Sequence, residues 1–125
     1  MAIIGIGIDL VEIDRIKDAR MNPRFIEKLL TSSEQTDYDQ LTSEKRQLEF
    51  LAGRWASKEA YAKAYGVGIY GGSPLSFHEM VVKTTALGQP HMAGLNPGEV
   101  VHLSISHTDH YAMANVIVES RTDES

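Results

Sequence analysis

The sequence predicts an α+β fold in which an antiparallel sheet packs with a long central helix and shorter helices. Strand-like patterns stand near both ends of the chain, and helical patterns are clustered between them. The length of 125 residues is below the roughly 150 residues typical of one domain. We therefore expect residues 1–125 to form a single compact domain.

The first strand is predicted over residues 3–11, where isoleucine and leucine alternate with Gly5, Gly7 and Asp9. A period of two in β-branched residues is typical of a strand. The face that carries the glycines is nearly bare of side chains. We expect another backbone, a subunit or a ligand to approach this face closely.

Three short helical patterns precede a long one. The three short helices are predicted to begin at Asp14, Pro23 and Ser32, and the predicted cap of the long helix is Ser43. Ser32 with Gln35 three residues later resembles a capping box. The long helix is predicted over residues 44–65 and ends at Gly66 and Gly68.

The C-terminal half carries the predicted strands of the sheet. A glycine- and proline-containing loop, residues 71–74, comes first. The predicted strands are residues 76–84, 91–95, 100–107 and 111–119, and the last two form a hairpin. The polar residues 121–125 are expected to be frayed.

Composition excludes several classes of protein. The absence of cysteine removes disulfides, thiolate metal sites and cysteine nucleophiles, so a metal would need oxygen or imidazole ligands. No basic leader precedes Asp9, and no segment has the ~20 apolar residues of a membrane span, so we expect a cytoplasmic protein without membrane contact. The net charge of −5 argues against a nucleic-acid partner.

Positive charge is concentrated in residues 15–28, which we call the basic segment. Five cations stand there against two acids, although the chain as a whole has 12 basic and 17 acidic residues. Such a segment suggests docking of an acidic partner. A solvated helix face is the alternative, and it is the commoner origin of a charge run.

Two carboxylates stand in unusual surroundings. Asp9 ends an apolar strand, where an ionised side chain is costly without a cation or donors. Glu59 lies mid-helix among Trp55 and several alanines, and a structural pair with Lys63 one turn later is its simplest explanation. Two carboxylates from different elements also suit Mg²⁺, which takes one or two of them and completes its octahedron with water and phosphate oxygens.

Cations and hydroxyls near these acids suggest phosphate chemistry. Arg54, Lys58 and Lys63 lie within ten residues of the long helix, where they either solubilise it or neutralise a pyrophosphate. In SISHTDH, the serines and His107 form a candidate phosphate-facing rim, or His107 is a structural residue. No glycine pattern completes a dinucleotide or Walker motif, so a generic Mg²⁺-dependent nucleotide hydrolase ranks last.

Three segments resemble a known family. GIGIDLVEIDR and FLAGRWASKEAYAKA resemble the first and second motifs of phosphopantetheinyl transferases, and SISHTDHYAMA is similar to the closing segment of the small bacterial holo-acyl-carrier-protein synthases. The aspartate and arginine of the first motif fall on Asp9 and Arg15. The motif positions of the second fall on Trp55, Lys58, Glu59, Ala60 and Lys63.

The resemblance implies transfer of 4′-phosphopantetheine from coenzyme A to a serine of apo-acyl carrier protein, in fatty acid biosynthesis, with release of adenosine 3′,5′-bisphosphate. Asp9 and Glu59 would hold Mg²⁺, and Lys63 would contact the phosphates. The serine proton would go to Glu59, a metal-bound water or His107. The candidate coenzyme A contacts are Arg54, Lys58, Ser106, His107 and Thr108.

The resemblance also implies a homotrimer with active sites between subunits, which the bare glycine face fits. Because acyl carrier proteins are acidic, the basic segment becomes the candidate docking surface. The docking residues are then Arg15, Arg20, Met21, Arg24, Phe25 and Lys28. The alternative is a non-catalytic module that binds acidic proteins, in which the helix charges are only structural.

Overall fold

Four α-helices and five strands form the part of the chain that the computed structural model describes, residues 2–66 and 75–121. In chain order they are β1 (Ala2–Glu12), α1 (Ile13–Ala19), α2 (Pro23–Leu29), α3 (Ser32–Asp39), α4 (Glu44–Ala64), β2 (Val82–Thr84), β3 (Pro90–Met92), β4 (Glu99–His107) and β5 (Tyr111–Ser120). The predicted α+β class is confirmed. Gly68, the loop 71–74 and the polar tail 122–125 lie outside the described residues.

The larger sheet has the strand order β1–β5–β4, with both pairs antiparallel. Helix α4 crosses one face, where its buried alanines meet the buried positions Ala114, Val116 and Val118 of β5. Strands β2 and β3 form a separate pair. The central helix and the central strand thus share one apolar core.

The glycines of β1 face the backbone of α4. A Cβ built on Gly5 would lie 1.8 Å from the carbonyl oxygen of Ala64, and one on Gly7 would lie 1.8 Å from that of Ala60. Only glycine permits this approach of strand to helix. The predicted close approach is therefore confirmed, and its occupant in this region is the chain's own helix.

The opposite face of β1 is exposed and apolar. Ile6 is 65% exposed and Leu10 is 61% exposed, and Ile8 lies between them on the same face. Met113 of β5 pairs with Leu10 and extends this face. Of the occupants expected over the glycines, the backbone of α4 is the one found there, and the exposed apolar side chains lie on the opposite side of β1.

Several element boundaries differ from the sequence prediction. The helix over residues 44–65 and the closing hairpin are confirmed. The capping box at the start of α3 is Thr31 with Glu34, one residue earlier than predicted. The predicted strand over 76–84 is wrong: Phe77–Glu79 form a turn of 3-10 helix, because the Glu79 carboxylate accepts a hydrogen bond from the Ser76 amide, and only Val82–Thr84 pairs as a strand.

Candidate active site

Asp9 and Lys63 form an ion pair between β1 and α4. The Lys63 Nζ lies 2.9 Å from Asp9 Oδ1 and 3.2 Å from the carbonyl oxygen of Ile8. The Asp9 side chain is 13% exposed, whereas that of Lys63 is 53% exposed. Among the described residues, Lys63 therefore forms its ion pair with Asp9, across the β1–α4 contact. The expected ion pair with Glu59 of the same helix is not formed.

Glu59 lies beside this ion pair, one turn before Lys63 in α4. Burial raises the pKa of the Glu59 carboxyl above its usual range, the negative charge of Asp9 raises it further, and the positive charge of Lys63 lowers it. The carboxylates of Asp9 and Glu59 therefore repel each other in a partly buried environment. Such a pair is stabilised by a cation placed between the oxygens.

A cavity of about 310 Å³ joins these groups. Its polar lining comes from Asp9, Arg15, Glu59 and Lys63, and Trp55 contributes an apolar wall. Within residues 2–66 and 75–121, no cluster of three or more histidine, aspartate or glutamate side chains could hold a metal. Two repelling carboxylates with open space beside them nevertheless fit Mg²⁺, since water and phosphate oxygens supply the remaining ligands of that ion.

A second cleft of about 300 Å³ contains Arg54 and His107. The Arg54 guanidinium lies 4.0 Å from the centre of the Phe50 ring and donates to the carbonyl oxygen of Val82 and the hydroxyl of Thr84. Its Nε is buried and has no hydrogen-bond partner in the described chain. Because a buried donor without an acceptor is costly, this cleft is suited to an acceptor-rich ligand.

His107 faces this cleft, with Nδ1 3.5 Å from the Glu49 carboxylate. Ser106 does not, because successive side chains of β4 point to opposite faces and Ser106 pairs with Met113 on the exposed side of the sheet. The predicted rim of serine hydroxyls and imidazole is therefore wrong. The Thr108 hydroxyl oxygen accepts from the amides of His110 and Tyr111 and shapes the β4–β5 turn.

Lys58 does not reach either cavity. Its side chain is fully buried, and its Nζ lies 2.6 Å from Glu34 Oε1 and 2.6 Å from the carbonyl oxygen of Leu29. Its position on α4 is about 100° from that of Glu59, which turns it toward α2 and α3. Lys58 therefore lines neither cavity, which contradicts its prediction as a coenzyme A contact.

The basic segment is only partly an exposed surface. Arg15, Met21, Arg24 and Lys28 are exposed, and Met21 is 81% exposed. Arg20 differs, because its guanidinium donates to the Tyr38 hydroxyl, Gln47 Oε1 and Glu44 Oε2. The assignment of Arg20 to the docking surface is therefore wrong, since its hydrogen bonds join α1 to α3 and α4.

The exposed cations border a third cavity, of about 550 Å³. Arg24 and Lys28 line it together with the rings of Phe25, Trp55 and Phe77. Phe25 stacks on Trp55 at 5.8 Å between ring centroids, and Trp55 also contacts Phe77. Phe25 and Trp55 line the Asp9–Glu59 cavity as well, so the two cavities are adjacent.

The carboxylate cavity and the second cleft lie on different sides of α4. Trp55, Glu59 and Lys63 recur every four residues and share one face of the helix. The α4 residues of the second cleft include Arg46 and Phe50, which at 100° per residue fall on the opposite side. The two cavities have no lining residue in common.

Sequence reasoning missed several residues of these sites. Arg46 and Phe50 were recognisable in principle, because they precede Arg54 by eight and four residues and so share its side of α4. Glu34 carried no such signal, since a glutamate in a polar eight-residue helix is usually solvated. Its burial follows from the position of Lys58, which only the tertiary structure shows.

Comparison with known proteins places the chain in a family. The model of the 4′-phosphopantetheinyl transferase superfamily matches residues 5–116. A holo-(acyl-carrier-protein) synthase of Anoxybacillus flavithermus is 49% identical over 118 residues, which cover 94% of this chain and 96% of the relative. One from Staphylococcus epidermidis is 48% identical over 117 residues, which cover 94% and 97%.

A solved structure agrees with these relatives. The crystal structure of a holo-(acyl-carrier-protein) synthase from Bacillus anthracis in complex with CoA (3′,5′-ADP) matches with a TM-score of 0.83 and 42% identity, over 94% of this chain and 97% of that chain. The chain therefore belongs to the 4′-phosphopantetheinyl transferase superfamily, as an enzyme of the holo-acyl-carrier-protein synthase type. The predicted family is confirmed, and the non-catalytic binding module is excluded. No described helix is long and apolar enough to cross a membrane.

Proposed function

We propose that the enzyme transfers the 4′-phosphopantetheine group of coenzyme A to a serine hydroxyl of an apo-acyl carrier protein and releases adenosine 3′,5′-bisphosphate. The observation that carries the proposal is the juxtaposition of Asp9, Glu59 and Lys63 in one cavity. The two carboxylates suit a divalent cation, and this cation together with the Lys63 ammonium would balance the negative charge of a pyrophosphate. The coenzyme A complex of the Bacillus anthracis relative supports this substrate.

In the proposed reaction, the serine oxygen attacks the phosphorus bonded to pantetheine, and the P–O bond to the adjacent phosphate breaks. Asp9 and Glu59 would hold Mg²⁺, which supplies charge neutralisation for the pyrophosphate oxygens. The Lys63 ammonium adds positive charge at the departing phosphate. The serine proton would pass to the Glu59 carboxylate, which lines the same cavity.

The second cleft is the proposed site for the nucleotide part of coenzyme A. Arg54 offers an unpaired buried Nε there, and Arg46 adds a second cation. Both groups suit phosphate oxygens or ring nitrogens. His107 belongs to this cleft and is assigned to nucleotide binding, while Thr108 and Ser106 are not.

A homotrimer with active sites between subunits is part of the proposal. One coenzyme A molecule has to reach both the carboxylate cavity and the nucleotide cleft, which lie on different sides of α4 in one chain. Packing of neighbouring copies over the exposed apolar face of β1 would bring the cavity of one copy to the cleft of the next. Ile6→Glu should therefore give a monomer in analytical ultracentrifugation and lose transfer activity, whereas a monomeric wild type would contradict this part.

The acidic carrier protein is proposed to dock on the exposed cations of the basic segment, Arg15, Arg24 and Lys28, with Met21 and Phe25 as apolar anchors. This surface continues into the carboxylate cavity through Phe25 and Trp55. A serine of a carrier seated there would be close to the pyrophosphate. The product serves fatty acid biosynthesis in the cytoplasm under this proposal.

The decisive experiment is mass spectrometry of apo-acyl carrier protein after incubation with the enzyme, coenzyme A and Mg²⁺. The proposal expects the carrier to gain the mass of one phosphopantetheine group, with release of adenosine 3′,5′-bisphosphate. A carrier in which the acceptor serine is replaced by alanine is the control. An unchanged mass of the wild-type carrier would contradict the proposed function.

A further inference from the structure

Helix α2 is too short to be stable alone, so other elements must hold it. It spans seven residues, and its last backbone hydrogen bond runs from the amide of Leu30 to the carbonyl oxygen of Ile26. Isolated helices of this length are not populated in water. The carbonyl groups after Ile26 lack helical partners, and each needs a donor from elsewhere.

One of these donors is the buried Lys58. Its Nζ donates to the carbonyl oxygen of Leu29 at 2.6 Å and to the Glu34 carboxylate at 2.6 Å. Glu34 in turn accepts from the amides of Thr31 at 2.9 Å and Val82 at 2.8 Å. A single fully buried ion pair therefore joins the end of α2 to α3, α4 and β2.

The second donor is His78, in the 3-10 turn that precedes β2. Its Nε2 is hydrogen-bonded to the carbonyl oxygen of Glu27, and a carbonyl oxygen only accepts, so Nε2 carries the proton. The His78 side chain is otherwise exposed. The adjacent Phe77 packs on Trp55, which stacks on Phe25 of α2.

We propose that Lys58 and His78 are positioning residues for carrier recognition, which hold α2 by its terminal carbonyls so that Arg24 and Lys28 stand at a fixed place beside the Asp9–Glu59 cavity. This inference rests on the proposed docking of an acidic carrier on α2. Neither residue lines that cavity or the nucleotide cleft. Their replacement should therefore act on the KM for the carrier and leave kcat and the KM for coenzyme A unchanged.

His78 provides the cleaner test, because it is exposed and its loss should not unfold the protein. His78→Ala should raise the KM for the carrier about threefold to tenfold, the range expected when one hydrogen bond is lost. His78→Gln should restore the wild-type KM, since its amide can donate to Glu27 from a similar place. His91→Ala, at an exposed histidine of β3, is the matched control and should change nothing.

Lys58 is tested with both charges removed together, as Lys58→Met/Glu34→Gln, because Lys58→Met alone would leave a buried carboxylate uncompensated. The double variant, with its folded fraction determined by circular dichroism, should also show a raised KM for the carrier at unchanged kcat. A merely structural pair would lower the amount of folded enzyme and leave that KM alone. If this variant does not fold, the His78 series decides.

Arg24→Glu separates failure of the inference from failure of the proposed docking. If Arg24→Glu raises the KM for the carrier and His78→Ala does not, the positioning role is wrong and the docking surface stands. If neither variant changes the KM for the carrier, the docking surface itself is wrong, and the inference falls with it.

Discussion

Lys63 is paired with Asp9, 54 residues away, rather than with Glu59, one turn earlier in its own helix. The consequence is an unequal pair of carboxylates. Asp9 has a cation at 2.9 Å, whereas Glu59 is partly buried with a raised pKa. Asp9 therefore has a compensating positive charge beside it, whereas the Glu59 carboxylate gains most from an added cation.

Removal of either carboxylate should abolish transfer without unfolding the protein. Asp9→Ala and Glu59→Gln would each remove one carboxylate ligand from the proposed Mg²⁺ site, so the affinity for Mg²⁺ should fall steeply. The measurements are carrier modification by mass spectrometry and folded content by circular dichroism. Full activity of either variant at ordinary Mg²⁺ concentrations would show that these residues are not the metal ligands.

The stability of Glu59→Gln should depend on pH in a defined direction. Because the folded-state pKa of Glu59 is raised, the ionised carboxylate destabilises the metal-free protein at neutral pH, and this penalty disappears below about pH 4, where glutamate is protonated in the unfolded chain too. Glu59→Gln should therefore melt at a higher temperature than the wild type at pH 7, with the difference shrinking on acidification. Calorimetry without Mg²⁺ tests this, and a lower melting temperature of the variant at pH 7 would contradict it.

Lys63→Ala should lower kcat about tenfold or more, because in the proposed mechanism its ammonium neutralises charge that develops on the phosphates. The ion pair with Asp9 is half exposed on the lysine side, so its loss should change the free energy of unfolding by no more than about 1 kcal/mol. Steady-state kinetics and urea denaturation measure the two effects. Lys83→Ala, at an exposed lysine of β2, is the control, and a Lys63 variant with reduced stability but normal kcat would identify a structural residue.

Charge reversal on α2 should affect one substrate only. Arg24→Glu is expected to raise the KM for an acidic carrier about tenfold, and added salt should weaken wild-type recognition in the same selective way, since exposed charges are screened over ~8–10 Å. The KM for coenzyme A should not change. Lys83→Glu is the matched reversal outside this surface, and an equal effect of both variants would indicate general repulsion instead of docking.

The different surroundings of Gly7 and Gly53 predict opposite effects of their replacement by alanine. Gly7→Ala should destabilise the protein by about 3 kcal/mol or more, because its Cβ would collide with the Ala60 carbonyl. Gly53→Ala should be tolerated or stabilising by up to about 1 kcal/mol, since its Cβ would lie 3.6 Å from Ile105 and alanine is the better helix former. Urea denaturation of the two variants compares them, and equal stabilities would exclude the close approach.

The sequence predicted the carboxylate site better than the rest of the molecule. Asp9 and Glu59 stood out because a charge in an apolar pattern needs a partner, and the structure brings them together. The partners of Lys58 and Arg20 could not be predicted, because the sequence around a cation does not show whether it binds a ligand or an acidic residue of the same chain. Lys58 pairs with Glu34, and Arg20 pairs with Glu44. The sequence also did not show which face of β1 is buried. Either face of an alternating strand can pack on a core, and only the structure shows that α4 packs on the glycine face.

The contact of Gly5 and Gly7 with α4 also fixes how far Asp9 lies from that helix. Asp9 follows Gly5 and Gly7 on the inward-facing positions of β1, so its distance from α4 is set by backbone meeting backbone. Ile6, Ile8 and Leu10 alternate with them and point away. A substitution at an outward position would therefore alter the exposed surface of β1 and leave the spacing of the two carboxylates unchanged, because that spacing is set where the two backbones meet.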